Sequence, residues 1–569
     1  MAGLQLRKRK EYDALKTKLF TDRQSSMALW KEIADYIKPT RCRLNLTDRN
    51  RNDRRNQKIL DETATFDLDT LESGLFAGMS SPARQWFKLA LPSKSMNLTD
   101  AITEYLFEVE NRMNAVFSLS NLYNGLPECF GDVSTFGTAA MACFEDSEDL
   151  LRFYTYPLGS YAIGLNRRRE VCTFVHEDQW TVRQVVEEFA QLREGEIVNT
   201  ENFSTVVLEH WKQKRYEETV DVCWIVMPND KANPLKLDAK YLPFTSCFFE
   251  IGRQDHEAVL RESGFRTFPV MVPRWKTVSN DSYGSNCPGI TVLSAVKQLQ
   301  SMERKSNQWL DKIVDPALVG PSSLRNQPTS LVAGHITYSD PRDESSRLRP
   351  IHELRGEGYQ HFEAKAEQVR QRIHTGTFSD LFKMFQSAPY GQPMTAEEVK
   401  ERHKEKLLIL GPALERMNEE LLEKIIDRTF DIMAQAGLLP EPPEGIEGVS
   451  LKVEFTSVLA EAMKLTRVVT IDRMMSSVLP LAEFFPEVLD IIDPLGVVEE
   501  YRDGLGTSPK ILRSREEAMA RGQQRAEAQQ AQAAADQANK VSGAVRNIAQ
   551  APMSGDSVLS HLAESVGAA

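Results

Sequence analysis

Lys297, Ser301, Arg304, Lys305, Gln308 and Lys312 form the densest pattern of polar chemistry in the 569-residue chain. In an α-helix their spacing gathers all six on one side, while Leu293, Val296, Leu299, Met302, Leu310 and Ile313 recur at three- and four-residue intervals on another. Such a stripe of cations, hydroxyl and amide is electrostatic rather than catalytic. It is either a solvated helix face or the lining of a path for a polyanion. Patterns that break bonds are missing from the sequence. No GxxxxGK[ST] offers a phosphate cradle, and GLGTSP from Gly504 lacks the third glycine and a preceding strand. There is no GxSxG and no HExxH, and none of the nine histidines pairs with another at ligand spacing. His352, His361 and His374 are read as surface or channel-facing positions, and Asp67 and Asp69 as a polar helix face rather than an acid–base pair. The expectation is a protein that is not an enzyme, with no cofactor and no metal.

Composition narrows the class. A net charge of −12 argues against gripping nucleic acid by sheer basicity, yet it is compatible with a surface that DNA slides past. A local exception lies at 38–58, where Arg41, Arg43, Arg49, Arg51, Arg54 and Arg55 gather in a loop that is either solvated or contacts phosphate or an acidic subunit. The longest apolar region, 476–498, is interrupted by Pro480, Glu483, Pro486, Glu487, Asp490, Asp493 and Pro494, so no membrane span is expected. Seven cysteines without a CxxC pair disfavour both a disulfide framework and a zinc cluster, which suits a reducing cytoplasm.

The elements that must hold the stripe are legible from periodicity. The first ~130 residues read as mainly helical, with Phe66, Leu68, Leu71 and Leu75 marking one apolar face. Between 138 and 276 the segments CTFVHEDQW, TVDVCWIVM, FTSCFFEIG and FPVMVPRW read as antiparallel strands, with VRQVVEEFAQL as an inserted helix. The class is therefore α+β with segregated parts. The stripe helix spans 290–314 and stops at Asp315-Pro316. Amphipathic repeats resume at Tyr359, Phe362, Ala366, Val369 and Ile373, leaving a proline-rich excursion between two helices, with SLVAGHITYSD as a strand within it. Next comes GTFSDLFKMFQSAPYGQPMTAEEV. Its Phe378, Phe382 and Phe385 keep helical spacing and are read as core, whereas Ser387, Tyr390, Gln392 and Met394 are candidates for an exposed tip. Thr395 and Glu398 form a predicted capping box for a helix over 396–436, with a kink expected at Gly411-Pro412 and a stop at Gly437.

Three passages, SGLFAGMSSPARQWFKL (73–89), DSYGSNCPGITVLSAVKQLQSMERKSNQWLDKIVDPALV (281–319) and PMTAEEVKERHKEKLLILGPALERMNEELLEKIIDRTFDIM (393–433), occur in an order that resembles the portal proteins, or head-to-tail connectors, of short-tailed bacteriophages. That resemblance implies a portal fold assembled as a twelve-subunit ring around a DNA channel. It implies a wing (1–288, with a helical N-terminal part and a β-rich part over about 138–276), two stem helices (289–314 and 359–375) and a small clip module (315–358). A tunnel loop (376–394), a long kinked helix returning to the wing (395–458) and a helical crown (459–512) complete the plan. Residues 513–569, rich in Ala and Gln, would form either a barrel helix or a disordered tail. The implied channel residues are the stripe, Lys297 to Lys312. The implied loop residues are Ser387, Tyr390, Gln392 and Met394, and the implied clip contacts are Arg325, Asn326, His335 and Tyr338. Implied partners are a homo-dodecamer, double-stranded DNA, the terminase large subunit that holds the motor, major capsid and scaffolding proteins, and tail adaptors. The expected location is the capsid vertex of the virion, after assembly in the host cytoplasm. The alternative is a helical scaffold or adaptor without a channel.

Overall fold

The structure is a computed structural model. It describes residues 5–39, 58–91, 100–193, 196–236, 238–252, 259–278, 281–319, 322, 349–350, 357–383, 409–443 and 452–456, with isolated positions beyond. The chain divides into two units, one of 1–97 with 104–463 and a second of 98–103 with 464–569. In the second unit the described positions between 521 and 542 are helical and exposed.

The first unit opens with α1 (Gln5–Tyr36), α2 (Thr63–Met79), β1 (Phe87–Ala90), α3 (Asp100–Leu119) and α4 (Leu122–Phe136). The strand-rich part follows: β2 (Ala140–Asp146), β3 (Leu150–Tyr156), β4 (Tyr161–Leu165), β5 (Val171–Thr181), α5 (Val182–Phe189), β6 (Leu192–Arg193), β7 (Glu196–Ile197), α6 (Thr205–Lys212), β8 (Thr219–Pro228), β9 (Phe244–Glu250), β10 (Arg261–Phe265) and β11 (Val270–Met271). Strands β10-β9-β8-β5-β4 make a five-stranded sheet and β11-β2-β3 a three-stranded one, all antiparallel. The expected strands are therefore present, and VRQVVEEF is the helix between two of them. That helix carries a capping box not foreseen in the sequence, Thr181 with Gln184.

Alternation along the strands explains the packing, because successive side chains leave opposite faces. One face of the large sheet buries Val175, Cys223, Ile225, Cys247 and Phe249 against Tyr12 of α1, and another core gathers Val182, Val185, Val186 and Phe189 of α5 with Phe203, Val207 and Val222. Rings bridge the two sheets: Phe144 lies 5.3 Å from Trp224, and Tyr156 lies 5.3 Å from Phe174. This aromatic column joins both sheets into one wall.

The chain then forms α7 (Pro288–Val314), β12 (Leu318–Val319), β13 (Arg349–Pro350), α8 (Glu357–Gly376) and α9 (Ser379–Lys383). Strands β12 and β13 pair antiparallel, so the excursion between the two helices leaves and returns through one hydrogen-bonded neck. Helix resumes at 409, runs through Pro412, passes a π-turn at Asn418–Leu422 and continues as α10 (Glu423–Gln435). The helix closes at Gly437, whose φ of +67° suits glycine, with the Leu438 N–H donating to the Met433 carbonyl. Finally β14 (Lys452–Phe455) pairs with β1, placing Phe87 opposite Phe455 and tying the early SSPARQWFKL passage to the far end of this unit.

Candidate nucleic-acid interface

Helix α7 begins buried and ends exposed. At its root, Gly289 lies against the Thr135 carbonyl of α4, where any Cβ would overlap backbone, and Val292, Leu293, Val296, Leu299 and Met302 are buried. Gln300, itself buried, accepts from the Leu60 and Asp61 N–H groups at 2.6 and 3.0 Å and donates to the Asp61 carbonyl at 2.7 Å. Arg370 of α8 donates to Asp61 at 3.0 Å and to Glu303 of α7 at 2.6 Å. Further out, Trp309 stacks on Tyr359 with centroids 4.8 Å apart. These contacts make α7 and α8 one two-helix rod rooted on α1, α2 and α4.

The structure brings Ser301, Arg304, Lys305, Gln308 and Lys312 together at exposed positions on this rod, and among the described residues the three cations have no ion pair. Lys297 shares the stripe but donates to Glu32 of α1 at 2.6 Å beside the Tyr36 ring, so it is the cation of the stripe that is paired. On the apolar side, Leu310 and Ile313 are 41% and 43% exposed, because no other described element covers the outer turns. On the other flank an open groove of about 780 Å³ is lined by Gln298, Lys365, Gln368, Gln371, Arg372 and Thr375, amides, cations and a hydroxyl with no carboxylate. Ser387, Tyr390, Gln392, Met394, Arg325, Asn326, His335 and Tyr338 lie outside the described residues, as do the Thr395 capping box and the arginine-rich loop.

Sequence reasoning misplaced Asp67 and His374. Asp67 is fully buried rather than on a polar face, and His374 Nδ1 is 2.5 Å from its carboxylate. The stripe Ala64, Asp67, Leu68, Leu71, Leu75 is the buried face of α2, and Phe66, expected to lie on it, is 61% exposed. Another missed group is Arg274, 4% exposed in its side chain, which pairs with Glu420 in the π-turn at 2.6 Å.

Around that turn, Glu415, Glu419, Glu423 and Asp427 recur every fourth residue. Desolvation, then the charges of Glu419 and Glu415, raise the Glu423 pKa; desolvation, then Glu423 and Asp431, push Asp427 up to about 6. A carboxyl that holds its proton more tightly folded than unfolded favours folding below its ordinary 3.8 and loses that advantage as pH rises through about 6. Asp427→Asn is therefore expected to raise the denaturant midpoint at pH 8 and leave it unchanged below 3.8. The gain is moderated because water screens this exposed side chain. A titration of midpoints against pH for both proteins checks it.

Among the described residues no group of three His, Cys, Asp or Glu side chains is placed to hold a metal ion, and no helix is long and apolar enough to cross a membrane. A rooted rod with an exposed cationic stripe stands beside a β-rich body. Residues 9–512 match the family of bacteriophage head to tail connecting proteins, and the chain belongs to that family. It is 37% identical over 550 residues to the portal protein of Salmonella phage epsilon15, covering 97% of each chain. It is 36% identical over 513 residues to the probable portal protein of Bordetella phage BPP-1, covering 90% of each.

Proposed function

We propose that the chain is one subunit of a twelve-membered portal ring at a capsid vertex, a conduit for double-stranded DNA during packaging and ejection. The observation that carries this reading is the α7–α8 rod. Its root is buried by its own chain, while its outer turns expose Arg304, Lys305 and Lys312 on one side and Leu310 and Ile313 on another. Apolar turns left open in one subunit are closed by the neighbouring subunits of a ring, through head-to-tail contacts. The cations then face the axis. On this reading α7 and α8 are the stem, 315–358 the clip offered to the terminase motor and later to tail adaptors, and 376–394 the loop that approaches DNA. Residues 459–512 are the crown, the β-rich body is the wing, and scaffolding and major capsid proteins are further partners. The work is positional, with no bond made or broken by this chain.

Native mass spectrometry tests the assembly. Twelve chains of 64.4 kDa are expected to give a closed particle of about 770 kDa. A monodisperse monomer under every assembly condition would favour a scaffold without a channel.

A further inference from the structure

The α8–α9 junction contains polar groups that the rod itself does not use. Asp67 of α2 is 0% exposed, and Thr377 and Ser379 beside it are also 0% exposed. Its Oδ2 lies 2.5 Å from His374 Nδ1 and 3.2 Å from Thr377 Oγ1, whose hydrogen is shared with the Ile373 carbonyl at 2.8 Å. An ionised carboxylate can only accept, so the imidazole hydrogen at this contact sits on Nδ1. Thr377 Oγ1 and Ser379 Oγ come within 3.2 and 3.4 Å of the His374 carbonyl, and so both sides of the turn meet that carbonyl. Burying a carboxylate is costly unless it is held by hydrogen bonds, which makes this an expensive place to use one for packing alone.

A second observation points the same way. Phe378, between Thr377 and Ser379, has φ +58°, a left-handed conformation that a bulky side chain adopts at a cost and keeps only when its surroundings enforce it. The enforcement comes from either side. Asp67 grips the residues before Phe378, and after it Leu381 is 1% exposed while the Phe382 ring lies where a Cβ on Gly74 would be. Asp67 and Gly74 are both on α2, seven residues apart, so one helix face clamps both arms of the reversal.

We propose that Asp67 is a positioning residue for DNA passage: by bonding His374 and Thr377 it forces the reversal at Phe378 and so fixes the direction in which α9 leaves the stem. This deepens the portal reading, on which 376–394 approaches DNA, and rests on it for its effect on packaging. The grip itself does not depend on that reading.

The test uses the full chain with Asp67→Asn, His374→Asn and His374→Leu. Asparagine at 67 keeps the volume but loses the carboxylate; asparagine at 374 still offers an N–H to Asp67, and leucine offers none. In Asp67→Asn and His374→Leu, amide hydrogen exchange over 374–381 is expected to quicken about tenfold. Packaged DNA per particle is expected to fall about tenfold with ring mass unchanged, while His374→Asn stays within about twofold of the parent on both measures. Unchanged exchange over 374–381 overturns the proposal, as does a packaging defect that only follows loss of rings. Failure of the parent chain to form rings would sink the portal reading alone, because the exchange comparison still decides whether Asp67 holds the turn.

Discussion

Replacing Arg274 with alanine is expected to cost about 3–5 kcal/mol of folding stability, the usual penalty for removing one partner of a buried ion pair. Its guanidinium donates to Glu420 at 2.6 and 3.2 Å, to the Arg169 carbonyl at 3.0 Å and to the Ser282 carbonyl at 3.4 Å, and its own backbone N–H donates to Glu420 at 2.9 Å. One side chain thus ties the turn between β4 and β5, the segment leading to α7, and the π-turn before α10. Glu420 is 13% exposed in its side chain, so its charge would stay mostly out of water, balanced by Arg416 at 3.1 Å and by the neighbouring charge of Lys424. Denaturant midpoints measure the loss. Arg274→Met combined with Glu420→Met is expected to recover most of it, since a packed apolar pair removes the stranded charge. If the single alanine variant lost under about 1 kcal/mol, the junction would be held by its backbone contacts instead.

The π-turn shows why this junction escapes a reading by periodicity. The helix pattern through Leu414, Met417, Leu421 and Ile425 is regular enough to predict one long helix, and Pro412 draws attention to itself as the expected kink. The extra residue per turn at Asn418–Leu422 has no sequence signal of its own; it follows from aiming Glu420 at Arg274, 146 residues away. Strands are legible because they are rich in β-branched and aromatic residues and bounded by Pro, Gly, Asn or Asp. Helices α7 and α8 are legible because each has one apolar stripe and a proline or glycine stop.

Site residues are legible as a face and not as individuals. The stripe from Lys297 to Lys312 follows from helical spacing, but only the position of α1 separates Lys297 from the rest, and that is a long-range contact of 265 residues. Asp67 carries a usable signal: it lies four residues before Leu71 and eight before Leu75, in phase with the buried face, whereas Phe66 is out of phase. A carboxylate in phase with leucines predicts a buried partner, here His374, rather than a solvated edge. Leu310 and Ile313 give the opposite error, since an apolar stripe says that a surface is to be covered without saying by which chain.

Changing Arg304, Lys305 and Lys312 together to glutamine is expected to leave ring mass intact and to weaken the ring's hold on duplex DNA in a salt-dependent way. Removing one cation from one phosphate should lower the slope of log affinity against log salt by about 0.9, so the three cations account for about 2.7 units of slope for each subunit whose stripe meets the phosphates. At low salt the affinity itself should fall by about a hundredfold or more, with the difference shrinking as salt screens the parent protein. Lys297→Gln serves as the internal comparison: its ammonium is occupied by Glu32, so the change should soften the seating of α7 on α1 and leave the slope unaltered. The contrast follows from pairing rather than from charge, since all four residues are cations on one helical stripe. Equal slopes for the triple variant and its parent would return Arg304, Lys305 and Lys312 to a solvated face, and would move the DNA path elsewhere on the ring.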